Sequence, residues 1–96
     1  MLILITYDVC METPEGRKRL RHVSKACQNY GQRVQNSVFE CEVDAGQLLK
    51  LKDRLNHLLN PETDSLRFYN LGNNGGNKVE HYGAKPSFDV SDPLIV

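Results

Sequence analysis

Asp8 is the residue best placed for chemistry, because it ends a run of apolar and β-branched residues at the start of the chain. The run reads MLILITYDV, which is typical of a buried strand. A carboxylate at the end of such a strand holds a metal or a proton where the sheet opens to solvent, or it caps the following loop. Both interpretations stay open at this point. Tyr7 either shapes the Asp8 pocket, stacks on a base or packs in the core.

A second candidate feature is a block of positive charge. Six Lys or Arg residues and His22 lie between positions 17 and 33, with no Asp or Glu among them. The whole chain has 12 basic and 12 acidic residues, so its net charge alone indicates neither a nucleic-acid nor a membrane partner. The block is either a solvated helix face or a track for a phosphate backbone, whose binding would weaken with salt.

The cysteines and histidines do not form a metal motif. They show no CxxC or HxxxH spacing, which disfavours a soft-metal site. Cys27 and Cys41 are predicted to be small core residues. Because no charged, apolar leader precedes the chain, we expect a cytoplasmic protein with reduced thiols. No apolar segment approaches the roughly 20 residues of a membrane span.

The basic block falls on a predicted first helix. Thr13 is a typical N-cap, Pro14 suits the first helical position, and apolar residues then recur at helical spacing. Gly31 is a typical stop, so the helix is predicted over residues 14–30. Arg17 and Arg21, four positions apart, share one side of it.

Residues 33–43 alternate as a strand, but the alternation breaks near Asn36 and Ser37. Either a bulge lies there or these two residues form the turn of a short hairpin. Asp44 and Gln47 then form a capping-box pattern for a second, leucine-rich helix that is predicted to end at Asn60 and Pro61.

The remaining segments are shorter. A strand is predicted over residues 65–71, a glycine and asparagine turn over 72–77, and a short strand over 78–82. The order of elements predicts one α+β domain over residues 1–96, with a ferredoxin-like βαββαβ antiparallel sheet and two helices on one face.

The first strand is apolar on both faces, so a second copy is expected to cover the open sheet face, with the tail of residues 83–96 packing on that copy. A two-fold axis near the ends of the first strands would bring two Asp8 carboxylates together. Such a pair is unfavourable without a proton or cation, and oxygen ligands suit Mg²⁺ or Mn²⁺.

Three segments together resemble a known family. They are the LITYDV end of the first strand, QRVQNSVFE over residues 32–40, and VEHYGAKP over residues 79–86. Nearly the whole chain is similar to the small CRISPR-associated Cas2 proteins of type I systems, with subtype I-C favoured.

The resemblance implies a ferredoxin-like homodimer that is a slow, Mg²⁺-dependent endonuclease on RNA or double-stranded DNA and that joins the CRISPR integrase subunit in spacer acquisition. It also implies site residues. Asp8 is the metal ligand and a catalytic residue, and Tyr7 is a second catalytic residue. The residues implied for nucleic-acid binding are Arg17, Arg19, Arg33 and Phe39.

Two alternatives come from different classes of protein. The basic block combined with few acid and base groups favours a non-catalytic DNA scaffold within the spacer-integration complex. A small-molecule sensor of ferredoxin-like type would need an effector pocket at a subunit interface, for which the sequence has no fingerprint. Salt-sensitive DNA binding would count against a sensor.

Overall fold

The computed structural model describes residues 1–71 and 79–84. Its elements in chain order are β1 (Leu2–Asp8), α1 (Pro14–Gln28), β2 (Gly31–Gln35), β3 (Val38–Glu42), α2 (Ala45–Leu58), β4 (Ser65–Asn70) and β5 (Val79–Gly83). They form one antiparallel sheet in the order β2-β3-β1-β4-β5. The predicted α+β, ferredoxin-like fold is confirmed.

Of the two alternatives at residues 33–43, the structure shows the hairpin and not a single strand with a bulge near Asn36 and Ser37. Asn36 and Ser37 form the turn of a β2–β3 hairpin, and the register of β2 also shifts between Arg33 and Gln35. The predicted caps are confirmed: Thr13 Oγ1 accepts from the Gly16 amide, and Asp44 and Gln47 form a reciprocal capping box. Both helices end earlier than predicted, at Gln28 and Leu58.

The core lies between the helices and one face of the sheet. Alternate residues of β1 point into it, so that Ile3, Ile5 and Tyr7 are buried, and both Cys27 and Cys41 belong to it as predicted. The other residues of β1 line the opposite face, which no described helix covers. The half-buried side chains of that face include Leu2, Leu4, Thr6, Val38, Tyr69 and His81. The predicted turn at 72–77 and the tail beyond residue 84 lie outside the described residues.

Candidate metal and nucleic-acid site

Asp8 is the last residue of β1 and is exposed. It lies opposite Ser65 of β4 in the antiparallel ladder. Within residues 1–71 and 79–84, no group donates a hydrogen bond to its carboxylate or forms an ion pair with it. An exposed carboxylate with unengaged oxygens is available to bind a cation or a water.

A cavity of about 180 Å³ lies beside Asp8, between the end of β1, the first turns of α1 and the β2–β3 turn. Its walls are formed by Tyr7, Asp8, Val9, Met11, Leu20, Asn36 and Ser37. The amide of Tyr7 donates to the Ser37 carbonyl at 2.9 Å, which fixes the hairpin turn against the end of β1. The cavity is therefore built around the candidate acid by three elements.

A wider cleft of about 310 Å³ shares part of this wall. It is lined by Met11, Arg17, Leu20, Arg21, Arg33 and Asn36. Three arginines from α1 and β2 thus line one concavity that has no acidic lining residue. Such an arrangement suits an anion with several oxygens, such as a phosphate.

The structure brings together two of the predicted nucleic-acid residues, Arg17 and Arg33, and adds Arg21. Arg17 Nη1 donates to the Met11 carbonyl at 2.8 Å, which ties the guanidinium to the loop between β1 and α1. The Arg33 guanidinium lies over the ring of Phe39. Phe39 itself is fully buried, so its ring packs in the core and supports Arg33. The resemblance implied instead that Phe39 contacts nucleic acid.

Arg19 does not join the cleft. Its Nε donates to Asp64 Oδ2 at 2.8 Å and its Nη2 donates to Asp64 Oδ1 at 3.2 Å, and Asp64 is fully buried. This hydrogen-bonded carboxylate raises the pKa of Arg19. The guanidinium that was predicted to contact nucleic acid is therefore engaged in an ion pair with a buried carboxylate, and Arg19 itself is half-buried.

Tyr7 and Asp8 are neighbours in the chain but point to opposite faces of the sheet. The Tyr7 hydroxyl donates to Asp64 Oδ2, away from the Asp8 carboxylate. Burial and this hydrogen bond raise the pKa of Tyr7. The hydroxyl is therefore held protonated in the interior, although Tyr7 also contributes to the wall of the cavity.

Asp64 is the residue that sequence reasoning missed. Its carboxylate accepts from Tyr7, from Arg19 twice, from the Asn60 amide and from Thr63 Oγ1. Burial alone would raise its pKa, but these hydrogen bonds, led by those from Arg19, hold the pKa below its ordinary value. A signal was present in the sequence: Asp64 is in phase with Leu66 and Phe68, the inward residues of β4. An acid on a buried face requires a buried cation or donor.

A metal would find few protein ligands in one chain. Among residues 1–71 and 79–84, no group of three or more His, Cys, Asp and Glu side chains is arranged to hold an ion.

In the same part of the chain, neither helix is long and apolar enough to cross a membrane.

The sheet order, the two helices on one face and the exposed acid beside an arginine cleft define a small ferredoxin-like protein suited to binding phosphate groups. A family model described as CRISPR associated protein Cas2 matches residues 1–79. The chain belongs to this family.

The relatives agree with this assignment. The CRISPR-associated endonuclease Cas2 of Halalkalibacterium halodurans is 66% identical over 95 residues, covering 99% of each chain. The CRISPR-associated endoribonuclease Cas2 of Nitratidesulfovibrio vulgaris is 60% identical over 96 residues, covering 100% of this chain and 94% of the relative. The crystal structure of Streptococcus pyogenes Cas2 at pH 6.5 has a TM-score of 0.74 and 59% identity, covering 77% of this chain and 89% of that one.

Proposed function

We propose that this protein is a cytoplasmic CRISPR nuclease that uses Mg²⁺ or Mn²⁺ to hydrolyse phosphodiester bonds of RNA or double-stranded DNA. The observation that carries the proposal is the exposed Asp8 carboxylate in a cavity that shares its wall with the arginine cleft. The names of two relatives support it, since one is named an endonuclease and the other an endoribonuclease.

Asp8 fits a Mg²⁺ ligand. Mg²⁺ keeps several waters and is usually held by one or two carboxylates together with substrate phosphates. When bound, the ion would supply an activated water and would neutralise charge on the phosphate. Asp8 is the one carboxylate among the described residues that line this cavity, so a second carboxylate would come from Asp8 of a second copy.

The proposed homodimer would form through the open sheet face. Its half-buried apolar side chains, such as Leu4 and Val38, have no covering layer among residues 1–71 and 79–84. Burying this face would stabilise a dimer, and an axis near the end of β1 would bring the two Asp8 side chains together. The predicted packing of residues 83–96 on the partner belongs to the same proposal.

The chain's own residues supply binding and charge neutralisation. Arg17, Arg21 and Arg33 would hold the oxygens of a phosphate beside Asp8. Tyr7 is a poor general acid, because burial and Asp64 raise its pKa. With no general acid aimed at the leaving group from the described residues, turnover is expected to be slow.

The test compares the wild type with Asp8→Ala, each with Mg²⁺ and with EDTA, on labelled single-stranded RNA and double-stranded DNA. Only the wild type with Mg²⁺ should cleave, and the substrate that is cut identifies the preferred nucleic acid. Asp53→Ala is the matched control, because it removes an exposed carboxylate on α2. Equal cleavage by the wild type and Asp8→Ala would place the activity elsewhere or in a contaminant.

A second candidate function is a non-catalytic DNA scaffold for the integrase subunit in spacer acquisition, within a type I system of subtype I-C. It is favoured by the arginine cleft combined with a single acidic residue, Asp8, among the residues that line the cavity and the cleft. Cells carrying Asp8→Ala distinguish the two functions. Normal spacer acquisition would support the scaffold, whereas lost acquisition with an intact complex would support catalysis.

A further inference from the structure

We propose that Asp64 and Arg19 are positioning residues that hold the end of β1, and with it the Asp8 carboxylate, in the place required for cleavage. The inference deepens the proposed function and rests on it. It assigns to Arg19 a role that acts through Asp64, without contact with nucleic acid.

The Asp64 carboxylate connects three parts of the fold. It is fully buried and binds Tyr7 of β1 and Arg19 of α1, together with Asn60 and Thr63 of the segment between α2 and β4. A buried charge with this many donors is costly to disturb, since any group that loses its partner remains desolvated. The end of β1 is thereby fixed relative to α1.

The backbone of Asp64 adds a further connection, to the end of β5. Its carbonyl accepts from the Ala84 amide at 2.7 Å. Gly83 has a φ of +93°, and a Cβ there would overlap this same carbonyl oxygen. Only glycine adopts this conformation readily and leaves room for the close approach.

Asp8 is held by this cluster from two sides. Along the chain it follows Tyr7, whose hydroxyl binds Asp64. Across the sheet it pairs with Ser65, which directly follows Asp64 and whose Oγ donates to the Ala84 carbonyl at 2.7 Å. A shift of the Asp64 carboxylate would therefore move both neighbours of Asp8.

A role limited to stability would have a different signature. An ion pair that only stabilises the core would lower the melting temperature when broken and leave turnover unchanged. A phosphate contact by Arg19 would raise KM and alter the salt dependence of binding. A positioning role lowers kcat, because small displacements of a catalytic group reduce the rate of the chemical step.

The experiment uses Asp64→Asn and Arg19→Gln in the full chain, with Val43→Ala as the control. Val43 is a buried residue near the end of β1 that lies away from Asp8, where its amide donates to the Met1 carbonyl. We expect both site variants to lower kcat by about tenfold or more while KM changes by less than about twofold. We also expect faster amide exchange in residues 6–10. The control should lower the melting temperature without either change.

Three results would overturn the inference. The first is an unchanged kcat in both site variants. The second is a raised KM in Arg19→Gln together with a smaller slope of log affinity against log salt concentration. The third is unchanged amide exchange in residues 6–10. If Asp64→Asn does not fold, Tyr7→Phe removes a single hydrogen bond to Asp64 and is judged by the same readouts. If the wild type and Asp8→Ala cleave equally, the proposed function fails, and amide exchange alone then decides whether Asp64 holds the end of β1.

Discussion

The guanidinium carbon of Arg33 lies 5.6 Å from the centre of the Phe39 ring, and that ring is fully buried. The pair connects an exposed strand residue to the core, since β2 is exposed at every position and Phe39 is an inward residue of β3. Stacking on a fixed ring restricts the Arg33 guanidinium to the cleft beside Arg17 and Arg21. A buried aromatic residue can thus support a binding surface that it does not itself reach.

The salt dependence of nucleic-acid binding should separate the arginines. Arg17→Ala and Arg33→Ala are each expected to reduce the slope of log affinity against log salt by about 1, because each removes a phosphate contact. Arg19→Ala should leave the slope unchanged, since its guanidinium binds Asp64. Titration of a labelled duplex at several salt concentrations measures these slopes. Arg54→Ala, an exposed arginine on α2, is the control. Equal slope changes at positions 17, 19 and 54 would show that the cleft has no special role.

The acid sensitivity of folding should depend on Asp64. Its pKa is lower in the folded protein than its ordinary value, so the unfolded chain takes up the proton first. The stabilisation is therefore present above about pH 4 and is lost as the pH falls through the folded-state pKa. Asp64→Asn should reduce the free energy of unfolding strongly at neutral pH and much less at low pH. Urea unfolding at both pH values measures the difference. With Asp53→Asn, which changes an exposed acid, the wild-type pH dependence should remain.

Local features of the sequence were sufficient to predict most of the fold. Asp44 and Gln47 are three residues apart, and Thr13 and Pro14 are adjacent, so the start of each helix is encoded by neighbouring residues. The turn at Asn36 and Ser37 was ambiguous, because it lacks a glycine that would mark a tight hairpin. The register shift in β2 lies just before the hairpin turn, which explains why the sequence was compatible with either a bulge or a turn.

The site was less predictable, because its key contacts join distant residues. Arg19 and Asp64 are 45 positions apart, and no local pattern shows that they form a pair. The block of positive charge showed that arginines are abundant, but only the fold shows that Arg17, Arg21 and Arg33 meet while Arg19 turns away. The position of Asp8 at the end of β1 was predictable, because it depends on the apolar run before it.

The capping box of α2 should contribute measurably to stability. The Asp44 carboxylate accepts from the Gln47 amide at 2.7 Å, and the Gln47 side chain accepts from the Asp44 amide at 2.9 Å. Asp44→Ala is expected to cost about 1 kcal/mol of unfolding free energy. Denaturant unfolding measures the change. Lys50→Ala, at an exposed interior position of α2, should have almost no effect. If Asp44→Ala were equally neutral, the cap would have no role in holding α2.

Two glycines at helix starts should respond in opposite ways to alanine, because only one is enclosed. A Cβ at Gly16 would overlap the backbone carbonyl oxygen of Cys10, so Gly16→Ala must displace the β1–α1 loop beside Asp8. It should destabilise the protein by about 1–3 kcal/mol and also slow cleavage. At Gly46 a Cβ would meet only Asp44 Oδ1, at 3.5 Å, so Gly46→Ala should stabilise α2 by up to about 1 kcal/mol and leave cleavage unchanged. Urea unfolding and cleavage rates of both variants test this contrast. Stabilisation by Gly16→Ala would mean that the loop is not packed against the start of α1.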